Sequence, residues 1–329
     1  MRKLNVLFLP HPVAELATPW SNDVIEAISS RHQLQIFDCD QAAAPQFEGI
    51  EVIVDLGGNI SPDLLALAAE SGVKFLQAQT TGLDHINVGS ILDSGLLLAH
   101  TPGQFSSVAM AQSAMMFILM HAHCYNEARQ NFDRGKMYFP TGTELIGRTL
   151  GLIGFGASAQ DLARRARPFG LRIWTIDVRP IEKEILAEIE PDFLGGPDDL
   201  DSVVSESDYL SLHLHLTPQT RHIINAQRIG LMKESACLIN VARGELVDEH
   251  ALYHALVNNR LGGAGLDVFT QEPPDPSLAV YQLPNVFTMP HTAGSTDGTS
   301  RKRAQFAADN LDRYAQGEEL LGQVTSSLT

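Results

Sequence analysis

"RTLGLIGFGASAQDLARRARPFGLRIWTID", residues Arg148 to Asp177, reads as a strand, a tight turn, a helix and a second strand. Gly154, Gly156 and Ala159 fit the spacing G-x-G-x-x-G/A. Ala159, Leu162, Ala163, Ala166 and Phe169 then recur along one helix face, and Pro168-Phe169-Gly170 stops the helix. In such a unit the first glycine permits the turn and the second lets a pyrophosphate approach the backbone. A small third residue lets helix and strand pack closely, with the helix N-terminus facing the anion. Asp177 closes the second strand near the distance of roughly 20 residues at which an acid accepts hydrogen bonds from an adenosine ribose. The same carboxylate repels a 2′-phosphate, so NAD is expected over NADP, with Arg179 two residues on softening that preference. A plain β-turn-α connection is the bland alternative, and the complete strand, turn, helix and acid context weighs against it.

Outward from this stretch, strand-like and helix-like segments alternate almost throughout, the pattern of parallel sheets covered by helices. Before it, strands are expected at Asn5–Leu9, Gln33–Phe37, Glu51–Val54, Lys74–Gln77 and Leu96–Ala99, with helices at Asn22–Ser29 and Pro62–Glu70. A long apolar helix follows "TPG" and runs to about Arg134, its methionines 110, 115, 116 and 120 taken as core packing. A fresh β-α-β series occupies Thr149 to Pro290, a last helix Ser295 to Ala315, and a polar "TSSLT" ends the chain.

Bulk composition bounds the partners. The 329 residues suffice for about two domains, and 44% hydrophobic content is ordinary for a globular protein. A formal charge of −16 disfavours nucleic acid and anionic membranes. The beginning, "MRKLNVLFLPHPVAEL", reads as a first strand rather than a signal peptide, and Met110 to Met120 is too short to span a bilayer. Cys39, Cys124 and Cys237 are scattered, with no thiolate zinc spacing, which fits a cytoplasmic protein. No metal site is expected: in "HAHC" His121 and Cys124 would share a helix face without further ligands, and His213 and His215 of "HLH" alternate along a strand facing the cofactor crevice.

Three further segments bring polar side chains to strand ends. "ACLINVARGELVDEH" gives a strand to about Ala242, then Arg243, then a helix capped by Asp248. "GAGLDVFTQEPP" gives a strand through Phe269, containing Asp267, followed by Glu272. "NVFTMPHTAG" delivers His291. Ligands of open parallel sheets bind outside the carboxyl ends of the strands, where the glycine turn and Asp177 also belong. Singly, a histidine after proline is more often structural, an arginine can cap a helix, and a loop glutamate can be solvated. Together, behind a nucleotide turn, they supply what hydride transfer to a carbonyl needs. Arg243 binds and polarises the substrate, His291 exchanges the proton, and Glu272 holds the imidazole.

These residues resemble the D-2-hydroxyacid dehydrogenases. "TTGLDHIN", "TPGQFSSVAMAQ", "ELIGRTLGLIGFGASA", "LHLHLTPQTRHIIN", "LINVARGELVDE", "GAGLDVFTQEPP" and "PHTAGST" occur in that family's order over nearly the whole chain. The resemblance implies two doubly wound α/β domains: a Rossmann NAD-binding domain over 102–293 and a smaller flavodoxin-like substrate domain from 1–101 and 294–329. It implies a homodimer built around Met110 to Arg134, and Arg243, Glu272 and His291 as the catalytic set. Main chain at Ser158 and Ala159 is expected on the pyrophosphate, Asp267 near the nicotinamide, and main chain at Thr81 and Gly82 on the substrate carboxylate. His213, Leu214, Val241, Ala242 and Gly294 complete the expected cofactor set. Gln112 stands where the family usually has Glu, His215 where it has Pro, and Lys136–Tyr138 where a Trp is common. The phosphoglycerate branch has phosphate-binding arginines where this chain has Asp55 and Ala78, and Lys74 is the only lysine or arginine between Arg31 and Arg129. The expected substrate is therefore an unphosphorylated 2-oxo acid, as in glyoxylate and hydroxypyruvate reductases. Two other readings share the fold: an NAD-sensing, corepressor-like binding protein, and a formate dehydrogenase, where the histidine's partner resembles Gln rather than Glu.

Overall fold

The computed structural model describes residues 2–11, 14–57 and 60–325, with the side chains of 14–18 excepted. Of the expected polar tail, 326–329 lie outside the described residues. The chain divides into two compact units, Met1–Phe105 with Ser295–Thr329, and Ser106–Gly294. In chain order the strands are β1 (Asn5–Leu9), β2 (Gln33–Ile36), β3 (Val52–Asp55), β4 (Phe75–Ala78) and β5 (Leu97–Ala99). There follow β6 (Thr149–Ile153), β7 (Arg172–Ile176), β8 (Phe193–Gly195), β9 (Tyr209–Leu212), β10 (Cys237–Asn240), β11 (Gly263–Leu266), β12 (Val286–Thr288) and β13 (Gln323–Val324).

The first unit carries a six-stranded sheet in the order β13-β5-β4-β3-β1-β2. Its five long-range partners β2-β1-β3-β4-β5 follow the flavodoxin order, all parallel, and the edge is extended by β13, which pairs antiparallel with β5. That last strand is absent from the sequence reading, because two residues beside a Gly322 at φ +65° leave no periodic signal. One sheet face is covered by Phe47, Leu65, Ala68, Val88 and Ile91, the other by Val24, Ile28, Ala304, Ala308 and Leu311.

The second unit carries a seven-stranded parallel sheet, β12-β11-β10-β9-β6-β7-β8. From β8 to β11 this is the dinucleotide-binding order, with β12 added outside. The order reverses between β6 and β9, which opens a crevice at their carboxyl ends. Helices Ser107–Ala122 and Ala157–Ala166 cover one face through Phe117, Ile118, Leu162 and Ala163; Val203, Val204, Leu252 and Leu256 cover the other.

Several boundaries move from their expected places. The long apolar helix is two helices, Ser107–Ala122 and Tyr125–Asp133. The break falls where the Ala122 carbonyl accepts from Thr143 N–H at 2.7 Å and Cys124 takes φ +48°, a conformation that interrupts a right-handed helix. Met115 is buried as expected, but Met116 is 38% exposed. β10 and β11 stop at Asn240 and Leu266 rather than at Ala242 and Phe269, so Asp267 follows its strand instead of lying within it. β9 ends at Leu212, which puts His213 and His215 beyond the strand. No helix among the described residues is long and apolar enough to cross a membrane.

Gly265 shows how tightly the second unit is packed. A Cβ there would lie 2.5 Å from the ring of Phe117, a side chain with no exposure. Gly265→Ala is expected to lower the unfolding free energy by about 1–3 kcal/mol, the usual range for overpacking. Urea denaturation checks this, and adding Phe117→Leu should return part of the loss.

Candidate active site

The turn after β6 is shaped by its glycines. Gly154 has φ +87°, and a Cβ on it would come within 2.5 Å of the His213 carbonyl oxygen, so both conformation and space demand glycine. Gly156 is extended, and its nearest would-be neighbour is Arg179 Nη2 at 3.9 Å, leaving the backbone open to an approaching group. Helix Ala157–Ala166 begins directly afterwards with no side chain capping its first-turn N–H groups. Unclaimed amides and the positive end of the helix dipole point to an anion. Ala159 is fully buried in the core, the small residue that close helix–strand packing requires. These residues fit a bound dinucleotide.

Asp177, just past β7, accepts from Phe155 N–H at 2.8 Å, from Arg179 N–H at 2.8 Å and from Arg179 Nε at 3.2 Å. Burial alone would raise its pKa; the Arg179 side-chain and main-chain bonds, the Phe155 N–H and the Arg179 charge outweigh it and hold the carboxyl below its usual range. Asp177 is thus ionised and pre-positioned against the glycine turn, and Arg179 is its ion-pair partner.

His213 lies across the crevice from Asp177, after β9. Its Nδ1 is 2.9 Å from Ser158 Oγ and its Nε2 3.0 Å from Ser211 Oγ. Burial pushes its pKa down to about 4, so the neutral ring links the first turn of the glycine-loop helix to β9. Sequence spacing gave no sign of Ser211 in this chain of hydroxyls. Leu214 packs partly buried in the core beside Gly154.

The end of β10 is organised by Asn240, another residue that the sequence reading missed. Its side chain donates to the Arg243 carbonyl at 2.7 Å and accepts from Ala242 N–H at 3.1 Å, fixing the turn that launches Arg243. Val241 is 1% exposed and belongs to the core, which leaves only its main chain for a ligand. Asp248 caps the following helix as expected, accepting from Ala251 N–H at 3.0 Å.

Asp267 is 1% exposed. Its carboxylate oxygens accept from Thr292 N–H at 2.7 Å and Ala293 N–H at 2.9 Å, and its carbonyl accepts from His291 N–H at 2.8 Å. Burial raises its pKa, and the two amides counter that. Held in this way, His291 occupies φ +55°, unusual for a side-chain-bearing residue and therefore dependent on its surroundings. Its Nδ1 is 2.7 Å from Glu272 Oε2, while Glu272 Oε1 accepts from Phe269 N–H at 3.1 Å. Burial pushes the Glu272 carboxyl up, but its bond to His291, the His291 charge, the Phe269 N–H and the Arg243 charge bring it below the ordinary range. Glu272 therefore feels the charges of both His291 and Arg243. Gly294 ends the unit, and a Cβ on it would lie 3.6 Å from Met110 Sδ.

Thr81 and Gly82 belong to the first unit, in the segment leaving β4. The Thr81 carbonyl faces His100 Nδ1 at 3.0 Å, and its hydroxyl accepts from Arg303 Nη2 at 3.0 Å. No group of three or more metal-ligating side chains is assembled among the described residues.

Comparison with known proteins gives this geometry a family. Residues 115–293 match the model of the D-isomer specific 2-hydroxyacid dehydrogenase, NAD binding domain. The hydroxypyruvate reductase of Thermotoga maritima is 36% identical over 255 residues, 76% of this chain and 80% of that one. The D-3-phosphoglycerate dehydrogenase of Methanocaldococcus jannaschii is 33% identical over 81% of this chain, which spans only 50% of that longer protein. Among solved structures, the D-lactate dehydrogenase of Aquifex aeolicus, complexed with NAD and lactic acid, superimposes with a TM-score of 0.78 at 26% identity, covering 95% of this chain and 96% of that one. On this similarity the chain belongs to the D-isomer specific 2-hydroxyacid dehydrogenases, a family of NAD-dependent oxidoreductases.

Proposed function

We propose that this chain interconverts an unphosphorylated 2-oxo acid and its D-2-hydroxy acid, with Arg243, Glu272 and His291 as the catalytic set. The observation that carries the reading is the 2.7 Å contact between His291 Nδ1 and Glu272 Oε2, under the field of Arg243. Bound NADH supplies the hydride to C2. Arg243 holds the anionic substrate and polarises its carbonyl. The Glu272 carboxylate accepts a hydrogen bond from Nδ1–H of His291, which leaves Nε2 to carry the proton given to the substrate oxygen in reduction and taken from the hydroxyl in oxidation. Main chain at Thr81 and Gly82 is our candidate for the carboxylate donors, after the family resemblance.

Asp177 and its buried, ionised carboxylate support NAD over NADP. The absence of a phosphate subsite is supported by Asp55, a buried acid whose oxygens accept from Gly57 and Ile60 N–H, and by Ala78, fully buried in β4. Relatives named glyoxylate reductase and hydroxypyruvate reductase favour small 2-oxo acids. An assembled acid–base pair is more than an NAD-sensing module needs, and Glu272 where formate dehydrogenases have Gln favours the hydroxyacid chemistry. A homodimer is supported by Met116, Tyr125, Phe132, Met137, Tyr138 and Phe139, large apolar side chains left exposed within one stretch of the second unit. The acidic charge and three unpaired cysteines fit a cytoplasmic enzyme without nucleic acid partners.

Steady-state assays with NADH and NADPH against glyoxylate, hydroxypyruvate and longer 2-oxo acids test the reading; no NADH oxidation with any of them sinks it. His291→Gln should lower kcat by about 10²–10⁴ while leaving NADH affinity and the melting temperature near wild type. Because the Glu272 carboxyl is held below its ordinary range, it stays ionised to lower pH than a free glutamate, and the wild-type reduction rate should persist correspondingly further into acid. In Glu272→Gln the imidazolium loses its counter-charge, and the alkaline limb of the reduction profile should move to lower pH. Phe132→Asp should convert the dimer to a monomer in light scattering; an unchanged mass would reject this apolar surface as the interface.

A further inference from the structure

Arg303, on helix Asp297–Gln316 of the first unit, has no counter-ion among the described residues. Nη1 donates to the Gln79 carbonyl at 3.2 Å and Nη2 to Thr81 Oγ1 at 3.0 Å, while the guanidinium lies 5.5 Å from the Trp20 ring centroid. All three partners are neutral, and no carboxylate among the described residues pairs with it. Burial is the only influence on its ionisation and lowers its pKa to about 10. In a chain with 39 acidic and 23 basic residues, a buried guanidinium with no acid beside it is an arrangement that stability alone disfavours.

Its surroundings share the deficit. Arg303 Nε, both amide atoms of Gln79 and Thr80 Oγ1 are buried and meet no hydrogen-bond partner. The two bonds that Arg303 does make straddle Thr80 and clamp the segment leaving the carboxyl end of β4, the edge of a parallel sheet where ligands bind. His100 Nδ1 fixes the same segment from the Thr81 carbonyl, at 3.0 Å. Within the described residues the main-chain N–H groups of Thr81 and Gly82 donate to nothing. A clamped turn with two unclaimed amides, backed by an uncompensated positive charge, is a cradle for an anion.

We infer that Arg303 is the positioning residue of a carboxylate subsite formed by the main chain of Thr81 and Gly82, and that it supplies the charge against which that carboxylate is held. That the carboxylate is the substrate's rests on the proposed function; that the turn binds a carboxylate does not. The dicarboxylate oxalate, which needs no turnover, separates the two.

Arg303→Met, similar in length but uncharged, and Arg303→Lys are compared with the wild type in the full chain. The Met variant should raise KM for glyoxylate or hydroxypyruvate about tenfold or more with kcat within about threefold, and Lys should recover part of the loss. Fluorescence-detected NADH affinity should not change. Oxalate, titrated by its effect on the melting temperature, should bind wild type about tenfold more tightly than the Met variant. If wild type turns over no 2-oxo acid yet oxalate discriminates the variants in this way, the dehydrogenase reading falls and the subsite stands. Equal oxalate affinity in wild type and a folded Met variant overturns the inference, as does a parallel fall in kcat and NADH affinity. Should the Met variant fail to fold, the Lys variant decides: a raised KM and weakened oxalate affinity with NADH affinity intact support the role of Arg303, and unchanged values or a loss of NADH affinity overturn it.

Discussion

The edge of the second unit where we propose catalysis depends on one buried carboxylate. Asp267 takes the amides of Thr292 and Ala293 on its two oxygens and the amide of His291 on its carbonyl, so three consecutive residues are pinned to the end of β11. Without that anchorage nothing local would favour a histidine at φ +55°, a region that side chains enter at a cost of order 1–3 kcal/mol. The strain is tolerated because it turns the imidazole onto Glu272, and Glu272 is itself fixed by the Phe269 amide three residues earlier. A carboxylate in the core thereby sets the direction of an imidazole at the surface.

The same logic recurs at each strand end. Polar side chains outside the proposed catalytic set close a turn, and the turn then presents a residue that we propose for the chemistry. Asn240 does so for Arg243, and the Ser158–His213–Ser211 chain ties the glycine-loop helix to the opposite side of the topological switch. Rigid strands of one parallel sheet make the starting points, and these short bonds define the last few ångströms. That division explains why one fold serves many substrates: the sheet fixes where groups arise, and the turns decide where they point.

Much of this was legible in the sequence, for identifiable reasons. The Gly154 turn, Asp177, Arg243, Glu272 and His291 could be found because turn glycines and charged residues after apolar runs stand out against strands buried on both faces. The alternation of elements likewise marked both sheets as parallel, apart from the β13 edge of the first. What stayed hidden depends on tertiary partners. Asp267 gave no sign that its carboxylate ties down Thr292 and Ala293, since an acid beside an apolar run looks the same whether or not it holds the chain. The break at Cys124 is set by Thr143 reaching back to Ala122, and β13 by an edge that only β5 offers. Arg303 was illegible for the same reason: on a helix dense in basic residues, only packing distinguishes it from the exposed Arg301 and Lys302.

The antiparallel pairing of β13 with β5 has a consequence for biosynthesis. Because the first sheet and its covering helices draw on segments on either side of the second unit, the segment up to Phe105 emerges from the ribosome without its edge partner and with one apolar face covered only in part, by Val24 and Ile28. The intervening unit, Ser106–Gly294, is contiguous and has every strand of its sheet before helix Asp297–Gln316 and β13 are made. Vectorial synthesis therefore favours completion of the nucleotide-binding half first, while the earlier-made half waits for the terminal segment, a reversal of the usual order of folding along a nascent chain.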